Sequence, residues 1–356
     1  MSHDTTAPGA APAPAPAQGL RTGVTIGNAM DVLRVAGVVE LAQLAERSGY
    51  DLVSVPESWG TESFALLATV GAATTRLRVG TAILPIANRS PGLTAQGAAT
   101  LDDATGGRFV LGLGLGHRTI AEGWHGIECY QPRLAWVREY VGRVRSALAG
   151  EPTAGGYVLA FPPRPQVPVY LAALRDGGIR LAGEVADGAL LYLQPLARIP
   201  AILAAIEEGA AKAGRSRADV DVCLSISTCV TDDPGPAFEA ARTMLGWYAS
   251  LPFYNDMLAD MGYVGEATAL REVWAAAPQG GAGDGREPAA VAASHVTDAM
   301  VDSLFAIGSA EHCRGRIAAA RAAGIDRVVV YPFGPYVGRD EVLAGFGRTI
   351  AACAGA

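Results

Sequence analysis

Hydrophobic and polar positions alternate along the chain in two patterns. Short runs that are apolar at nearly every position, such as 51–55 and 77–84, are typical of parallel strands buried on both faces. Longer segments between them, such as 31–48 with Val35 and Ala42, carry apolar residues at the spacing of amphipathic helices. Regular alternation of the two patterns predicts an α/β protein built on a parallel sheet.

The alternation repeats eight times after the first 20 residues. The predicted strands cover 22–27, 51–55, 77–84, 108–113, 167–173, 188–193, 220–230 and 327–331. The predicted helices cover 31–48, 61–73, 91–104, 132–149, 178–185, 199–213, 310–323 and 342–353. Eight strands that are each paired with a helix predict a (β/α)8 TIM barrel, which needs about 250 residues. The alternative is an open doubly wound sheet, which requires edge strands and a switch point that this pattern does not locate.

We expect a single domain over residues 20–356. Residues 1–19 are rich in Ala and Pro and lack the basic start and apolar centre of a secretory signal, so they predict a disordered tail. Most of the remaining extra length is an insertion at about 232–308, between the seventh strand and the seventh helix. Its predicted helical pieces are 235–250, 255–261 and 268–276. We expect the insertion to cover the barrel mouth, with residues 278–295 mobile.

Charge and cysteine content narrow the classes of partner. The net charge of -7 and a pI near 5.3 argue against binding to nucleic acid or to an anionic membrane surface. No apolar run approaches the roughly 18 residues of a membrane span. Five scattered cysteines do not form a disulfide framework and favour buried free thiols in a reducing cytoplasm. The histidines show no metal-ligand spacing, so no metal is assigned. The expected partner is a small-molecule substrate.

Polar and aromatic side chains follow several of the predicted strands. Functional groups of a TIM barrel lie at the carboxyl ends of its strands. These strand-end residues are Asn28, Glu57, Ser58, Trp59, Asn88, Arg89, His117, Tyr192, Gln194, Thr228 and Tyr331. Glu57 and His117 are the candidates for moving a proton, although a hydrogen-bonded structural role suits each as well. The candidates for substrate contact are Asn28, Trp59, Tyr192 and Gln194.

Alternate glycines end the fourth strand at Gly112, Gly114 and Gly116. A dinucleotide-binding fingerprint would follow the first strand, open directly into a helix and have an acidic residue about 20 positions on, and this run meets none of these conditions. Two readings remain. The glycines either leave room for a cofactor at the barrel mouth or let a neighbouring strand approach closely.

The loop after the fifth strand has the composition of an anion site. Gly177 and Gly178 at a helix start expose backbone N–H groups, and the helix dipole favours an anion there. Asp176 opposes an anion unless it caps the helix. A plain helix N-terminus is the structural alternative. The candidate anion-binding residues are Leu174, Arg175, Gly177, Gly178 and Arg180.

Several of these stretches together resemble the bacterial luciferase-like superfamily. The similarity lies in 80–91, 98–102 and 106–116 and most resembles its deazaflavin-dependent branch, relatives of methylenetetrahydromethanopterin reductase. Further agreement lies in 168–174, 180–188 and 307–316. The resemblance covers residues 20–350 apart from the insertion.

The resemblance implies a flavin-type ring across the carboxyl-terminal mouth of the barrel. It places a non-prolyl cis peptide at Ala82–Ile83 behind that ring, where an ordinary trans bond is the alternative, and the cofactor phosphate in the loop after the fifth strand. Asn88, Gly112, Gly114 and Gly116 are then candidates for cofactor contact. Homodimers are common among such relatives.

Three functional hypotheses follow from the resemblance. The first is hydride transfer between coenzyme F420 and a C=C, C=N or C=O bond of a small metabolite, in either direction. The second is a monooxygenase that uses reduced FMN from a separate flavin reductase. The third is a flavin-binding barrel without catalysis, since a fold does not guarantee activity. The glycine motifs favour the deazaflavin.

Overall fold

The computed structural model of the chain describes residues 21–128, 133–277 and 286–356. The strands are β1 (Arg21–Thr25), β2 (Leu52–Val55), β3 (Arg78–Thr81), β4 (Leu84–Pro85), β5 (Phe109–Gly114), β6 (Val169–Ala172), β7 (Gly188–Tyr192), β8 (Asp221–Val230), β9 (Phe305–Gly308) and β10 (Arg327–Pro332). The helices are α1 (Met30–Arg47), α2 (Ser63–Ala72), α3 (Pro91–Ala104), α4 (Arg118–Gly123), α5 (Leu134–Leu148), α6 (Asp176–Val185), α7 (Ile199–Lys212), α8 (Gly235–Tyr248), α9 (Pro252–Asp260), α10 (Val264–Ala276), α11 (Arg286–Ala293), α12 (Asp298–Leu304), α13 (Ala310–Ala322) and α14 (Arg339–Ala352).

Eight parallel strands close into a barrel in the order β1, β2, β3, β5, β6, β7, β8 and β10. Closure is direct, because β10 pairs in parallel with β8 on one side and with β1 on the other. The predicted (β/α)8 barrel is therefore confirmed, and the open doubly wound sheet is wrong. The closed sheet brings all strand carboxyl ends to one face.

The third barrel strand is interrupted. β3 ends at Thr81, and the two-residue β4 continues its course, so that both pair with β5. Between them the Ala82–Ile83 peptide bond is cis, as the resemblance implied. The sequence pattern alone predicted one continuous strand over 77–84.

Helix α1 has a break that the helical pattern did not show. Arg34 has φ 52° and ψ -172°, so the first turn of the helix is separated from the rest. Val35, predicted on the buried face, is 42% exposed, whereas Leu33, Val38 and Ala42 pack into the core. Because the break interrupts the helical spacing, Val35 is turned away from the face that Leu33 and Val38 share. Both Arg34 and Val35 lie at the barrel mouth.

The main hydrophobic core lies between the barrel and its helices. Apolar residues of the strands pack outward against the buried faces of the helices, in one continuous cluster. Four cysteines, Cys223, Cys229, Cys313 and Cys353, are free and buried. Cys129 lies outside the described residues. No helix in the described part of the chain is long and apolar enough to cross a membrane.

The insertion after β8 forms a second cluster with its own apolar core. It contains α8 to α12 and the unpredicted strand β9, which pairs with the second half of β8. Tyr254, Met257, Leu270 and Met300 are among the side chains buried there. Of the segment expected to be mobile, 278–285 lies outside the described residues, but 286–293 form helix α11. The tail 1–19 also lies outside them.

Candidate active site

A cavity of about 1560 Å³ opens at the carboxyl ends of the barrel strands. Its walls come from the segments that follow most of the strands and from α8 and α9 of the insertion. Pockets for one small ligand have volumes of roughly 300–1000 Å³. The cavity therefore has room for a cofactor and a second molecule beside it.

One wall of the cavity is the interruption between β3 and β4. Ala82 and Ile83 line the cavity at the cis bond. The backbone there is held by the neighbouring strand β2 and the loop after it, since Ala82 N–H donates to the Val55 carbonyl (2.8 Å) and the Ile83 carbonyl accepts from Glu57 N–H (3.0 Å). This wall is thus tied to the end of β2 and presents backbone to the cavity.

The three alternate glycines have different surroundings. Gly114 and Gly116 line the cavity, and a Cβ on Gly114 would lie 2.9 Å from the Ile83 side chain. Gly112 lies deeper in the barrel and does not line the cavity. A Cβ on Gly112 would be 1.9 Å from the Thr81 carbonyl oxygen. Its N–H donates to Thr81 Oγ1, and that hydroxyl donates to the Gly112 carbonyl. All three glycines therefore serve close approach of neighbouring groups, and Gly114 and Gly116 do so at the cavity wall, where a Cβ would lie 2.9 Å from Ile83 and from Pro85.

Glu57 lines the cavity but is engaged by the protein. Its Oε2 accepts the Ser63 N–H at 3.0 Å, at the start of α2, and lies 3.6 Å from Arg89 Nη2. Arg89 also pairs with Glu62 and stacks over the Phe64 ring, and it does not line the cavity. These contacts support a positioning role for Glu57 as much as a chemical one.

His117 lies at the other side of the mouth, directly before α4. It lines the cavity and packs against the Tyr254 ring, with 5.7 Å between ring centroids. Burial lowers its pKa from the ordinary value, so the neutral imidazole persists at neutral pH. Within the described residues nothing hydrogen-bonds to its ring, which leaves both nitrogens available to a bound molecule. His117 is the better of the two candidates for moving a proton.

Two asparagines at the strand ends differ in their partners. Asn28 Nδ2 donates to the Pro332 carbonyl at 2.9 Å, which fixes the side chain beside the end of β10. Both amide atoms of Asn88 are buried and have no hydrogen-bond partner among the described residues. Asn88 lines the cavity just beyond the cis bond. An unpaired buried amide is costly, which makes Asn88 a candidate for contact with a bound molecule.

The predicted anion site lies at the N-terminus of α6. No side chain caps this helix, and Arg175, Asp176, Gly177 and Gly178 line the cavity together with Leu174. Its first backbone N–H groups therefore point toward the cavity without a capping partner. Asp176 does not cap the helix. Arg180 does not reach the cavity, because it faces α7 and pairs with Glu208 at 2.6 Å.

The arginines near this helix are already paired with carboxylates. Arg175 binds Asp260 at 2.7 Å and Asp256 at 3.3 Å, both on α9 of the insertion. Arg198, which the sequence analysis missed, lines the cavity and binds Asp176 at 3.1 Å. An anion bound at the N-terminus of α6 would therefore have both arginine and carboxylate side chains as neighbours.

Gln194 is not a cavity residue. It is buried, and its amide nitrogen Nε2 donates to the Leu174 carbonyl at 3.1 Å and faces Met257 Sδ. Its Oε1 accepts from Arg198. Thr228, also at a strand end, lies outside the cavity lining as well. Gln194 therefore joins β7 to the insertion and supports the site from behind.

Aromatic side chains form the wall opposite the cis bond. Tyr192 and Tyr331, both predicted, line the cavity at the ends of β7 and β10, and Trp59 lies at its rim. The insertion adds aromatic residues that the sequence analysis missed, although they lie in its predicted helices. These are Trp247, Tyr248, Phe253 and Tyr254. Burial raises the pKa of Tyr192, Tyr254 and Tyr331, so their phenols stay neutral.

A model of the family described as luciferase-like monooxygenase matches residues 13–327. The chain is 31% identical, over 82% of its length and 89% of the relative, to a protein of Mycobacterium tuberculosis (strain ATCC 25618 / H37Rv) named as a coenzyme F420-dependent oxidoreductase. It is 29% identical to the 5,10-methylenetetrahydromethanopterin reductase of Methanolobus tindarius, over 89% of this chain and 96% of that one.

Among solved structures, a coenzyme F420-dependent tetrahydromethanopterin reductase from Methanopyrus kandleri has a similar fold. The TM-score is 0.72, with 21% identity over 93% of this chain and 98% of that one. This likeness supports the barrel with its insertion.

Proposed function

The chain belongs to the luciferase-like monooxygenase family, and we propose that it is an oxidoreductase that transfers hydride between coenzyme F420 and a small organic molecule. Its relatives named for coenzyme F420 span most of its length. The observation that carries the proposal is the cavity itself. It joins a backbone wall, an unpaired amide and an uncapped helix N-terminus at the barrel mouth.

The residues present fit a deazaflavin. The cis bond at Ala82–Ile83 forms part of the cavity wall, with Gly114 packed beside it. The Asn88 amide offers one donor and one acceptor, which suits the edge of a ring that carries both carbonyl and N–H groups. The N–H groups of α6 suit the single negative charge of a phosphodiester. When bound, coenzyme F420 supplies the carbon that gives or accepts the hydride.

The protein then has three roles: it aligns cofactor and substrate, reduces their contact with water, and moves one proton. A carbonyl that receives hydride at carbon also needs a proton at oxygen, and the reverse reaction must remove that proton. His117 is placed for this step, since it lines the cavity and its ring is not used by the fold. The lowered pKa of His117 keeps it neutral, which suits proton removal from an alcohol. Helices α8 and α9 of the insertion line the same space and so reduce its exposure to water.

Binding titrations test the proposal. Purified full-length protein is titrated with coenzyme F420 and, separately, with FMN, and binding is followed through cofactor fluorescence. We expect coenzyme F420 to bind about tenfold more tightly or better, a difference of about 1.4 kcal/mol. Equal or tighter binding of FMN, with oxygen consumption when reduced FMN is supplied, would instead support the monooxygenase function. Cofactor binding without turnover of any carbonyl or alcohol would support a non-catalytic barrel.

A further inference from the structure

Aromatic rings are concentrated in one wall of the cavity. They form a continuous series of contacts, with ring centroids 6.1 Å apart for Trp59 and Trp247, 5.2 Å for Trp247 and Tyr248, and 4.6 Å for Tyr248 and Tyr254. Tyr192 extends the series, at 5.6 Å from Tyr248. Aromatic residues make up only 7% of the chain, so this grouping is a local feature and not a consequence of composition.

This aromatic wall lies across the cavity from the cis bond. In the closed barrel, β8 stands opposite β3, with β7 and β10 on either side of β8. Tyr192 and Tyr331 end β7 and β10, and Trp247, Tyr248 and Tyr254 belong to the insertion that follows β8. A cofactor ring held against the cis bond would therefore present its free face toward the aromatic wall.

The charges of the cavity lie elsewhere and nearly balance. Of the described residues that line it, three are arginines and four are carboxylates, so there is no excess of positive charge. Arg175 and Arg198 are at the α6 side and are paired with carboxylates. Arg34 lies on the exposed rim. A second phosphate group, brought by a substrate, has no cationic cradle against the aromatic wall.

We infer that the substrate of this site is a flat, uncharged molecule with an aromatic or conjugated ring. The inference rests on the proposed function, because it names the substrate class of the same cavity. Aromatic faces bind ring systems through offset stacking and edge-to-face contacts and give little to a hydrated sugar phosphate. The neutral phenols and His117 at the end of the series provide hydrogen bonds for a carbonyl or hydroxyl group on that ring.

The inference is tested by calorimetric binding to the protein saturated with oxidised coenzyme F420. The probes are 2-acetonaphthone, its decalin counterpart with a saturated ring system, and glucose 6-phosphate. We expect 2-acetonaphthone to bind about tenfold more tightly than the saturated ketone, since ring–ring contacts contribute about 0.5–1.5 kcal/mol each beyond burial. Glucose 6-phosphate should show no measurable binding.

Two pairs of variants locate the effect. Trp247→Leu and Tyr254→Leu remove rings from the aromatic wall and should each weaken 2-acetonaphthone binding by about five- to tenfold. Trp124→Leu and Tyr157→Leu are matched controls, because these rings are 65% and 80% exposed and do not line the cavity. The controls should leave binding unchanged. Circular dichroism melting shows whether each variant is folded.

The outcomes separate this inference from the proposed function. Equal binding of the aromatic and saturated ketones, or tighter binding of glucose 6-phosphate, overturns the inference while coenzyme F420 binding still stands. Aromatic binding that persists in protein unable to bind coenzyme F420 supports the inference and overturns the proposed function. Loss of 2-acetonaphthone binding in the two control variants would place the ring site outside the cavity and overturn the inference.

Discussion

The two ends of the barrel differ in how their polar side chains are paired. At the amino-terminal end, Arg327 is only 2% exposed and is paired with Asp51 and Asp221, and Tyr170 donates to Asp221 at 2.7 Å. At the mouth, the Asn88 amide has no partner in the described chain, and the N-terminus of α6 has no side-chain cap. The charged groups at the amino-terminal end are thus paired within the fold, although Asp51 Oδ1 and Asp221 Oδ1 accept no hydrogen bond among the described residues, whereas at the mouth the whole Asn88 amide lacks a partner.

This contrast indicates which groups serve stability and which serve function. Groups that already have partners lose stability when they are removed. Groups without partners are already costly in the fold, so their removal should affect binding and not stability.

Arg327→Met should have the largest effect, on stability alone. It would remove the ion-pair partner of Asp51 and leave the buried Asp221 with Arg21 at 3.7 Å and the Tyr170 hydroxyl, and removing one partner of a buried ion pair costs about 3–5 kcal/mol. Urea unfolding measures the loss. Arg339→Met is the matched control, since the exposed pair of Arg339 with Glu40 contributes about 0–1 kcal/mol. Equal losses of stability in the two variants would contradict the stabilising role of Arg327 at the amino-terminal end of the barrel.

His117→Gln should reduce turnover without loss of fold or of cofactor binding. A positioned acid or base contributes about 100-fold or more to the rate. In the direction that takes a proton from the substrate, the neutral imidazole is needed. Because burial lowers the pKa of His117, wild-type activity should hold through neutral pH and fall only below pH 6.5. The rate against pH, measured in both proteins, checks this.

A pH-independent rate in the wild-type protein would remove His117 from the proton step. The same measurement on Glu57→Gln separates the two candidates. Glu57 binds the start of α2, so its variant should lose stability as well as activity.

The barrel was predictable because its signals are local and repeated. Strands buried on both faces are apolar throughout, and the start of α3 is marked by Pro91 after Ser90, whose hydroxyl accepts the Leu93 N–H. The insertion was predicted less well. Helices α11 and α12 and strand β9 pack against α8, and long-range packing of this kind leaves no regular period in the sequence.

Site residues could be predicted where their position along a strand determines whether they reach the cavity. Gly112 and Gly114 are two residues apart and share one side of β5, but only the outer one reaches the mouth. Arg175 precedes α6 in an extended conformation, whereas Arg180 lies within the helix and faces α7, so the two arginines have different neighbours. Trp247, Tyr248 and Tyr254 could not be placed, because only the tertiary fold of the insertion brings them to the cavity.

Asn88→Ala should weaken coenzyme F420 binding by about tenfold, since one hydrogen-bonded amide contributes about 1–1.5 kcal/mol. It should not lower the melting temperature, because the Asn88 amide is unpaired in the fold. The matched control is Asn255→Ala. Asn255 is also buried, but it donates to the Ala267 carbonyl and accepts from Arg271, so this change should lower stability and leave cofactor affinity unchanged. The same result for both variants would remove the distinction between the two kinds of polar group.

Asp260→Asn should give the smallest effect, a gain in affinity. The Asp260 carboxylate holds Arg175 at 2.7 Å, at the edge of the anion site, and competes with any anion at α6. Its removal should strengthen coenzyme F420 binding by about two- to threefold at low salt, and the gain should fade as salt screens these half-exposed groups. Glu208→Gln is the control, because its partner Arg180 does not reach the cavity, so affinity should not change. A weaker binding in Asp260→Asn would mean that the pair positions Arg175 for the anion instead of competing with it.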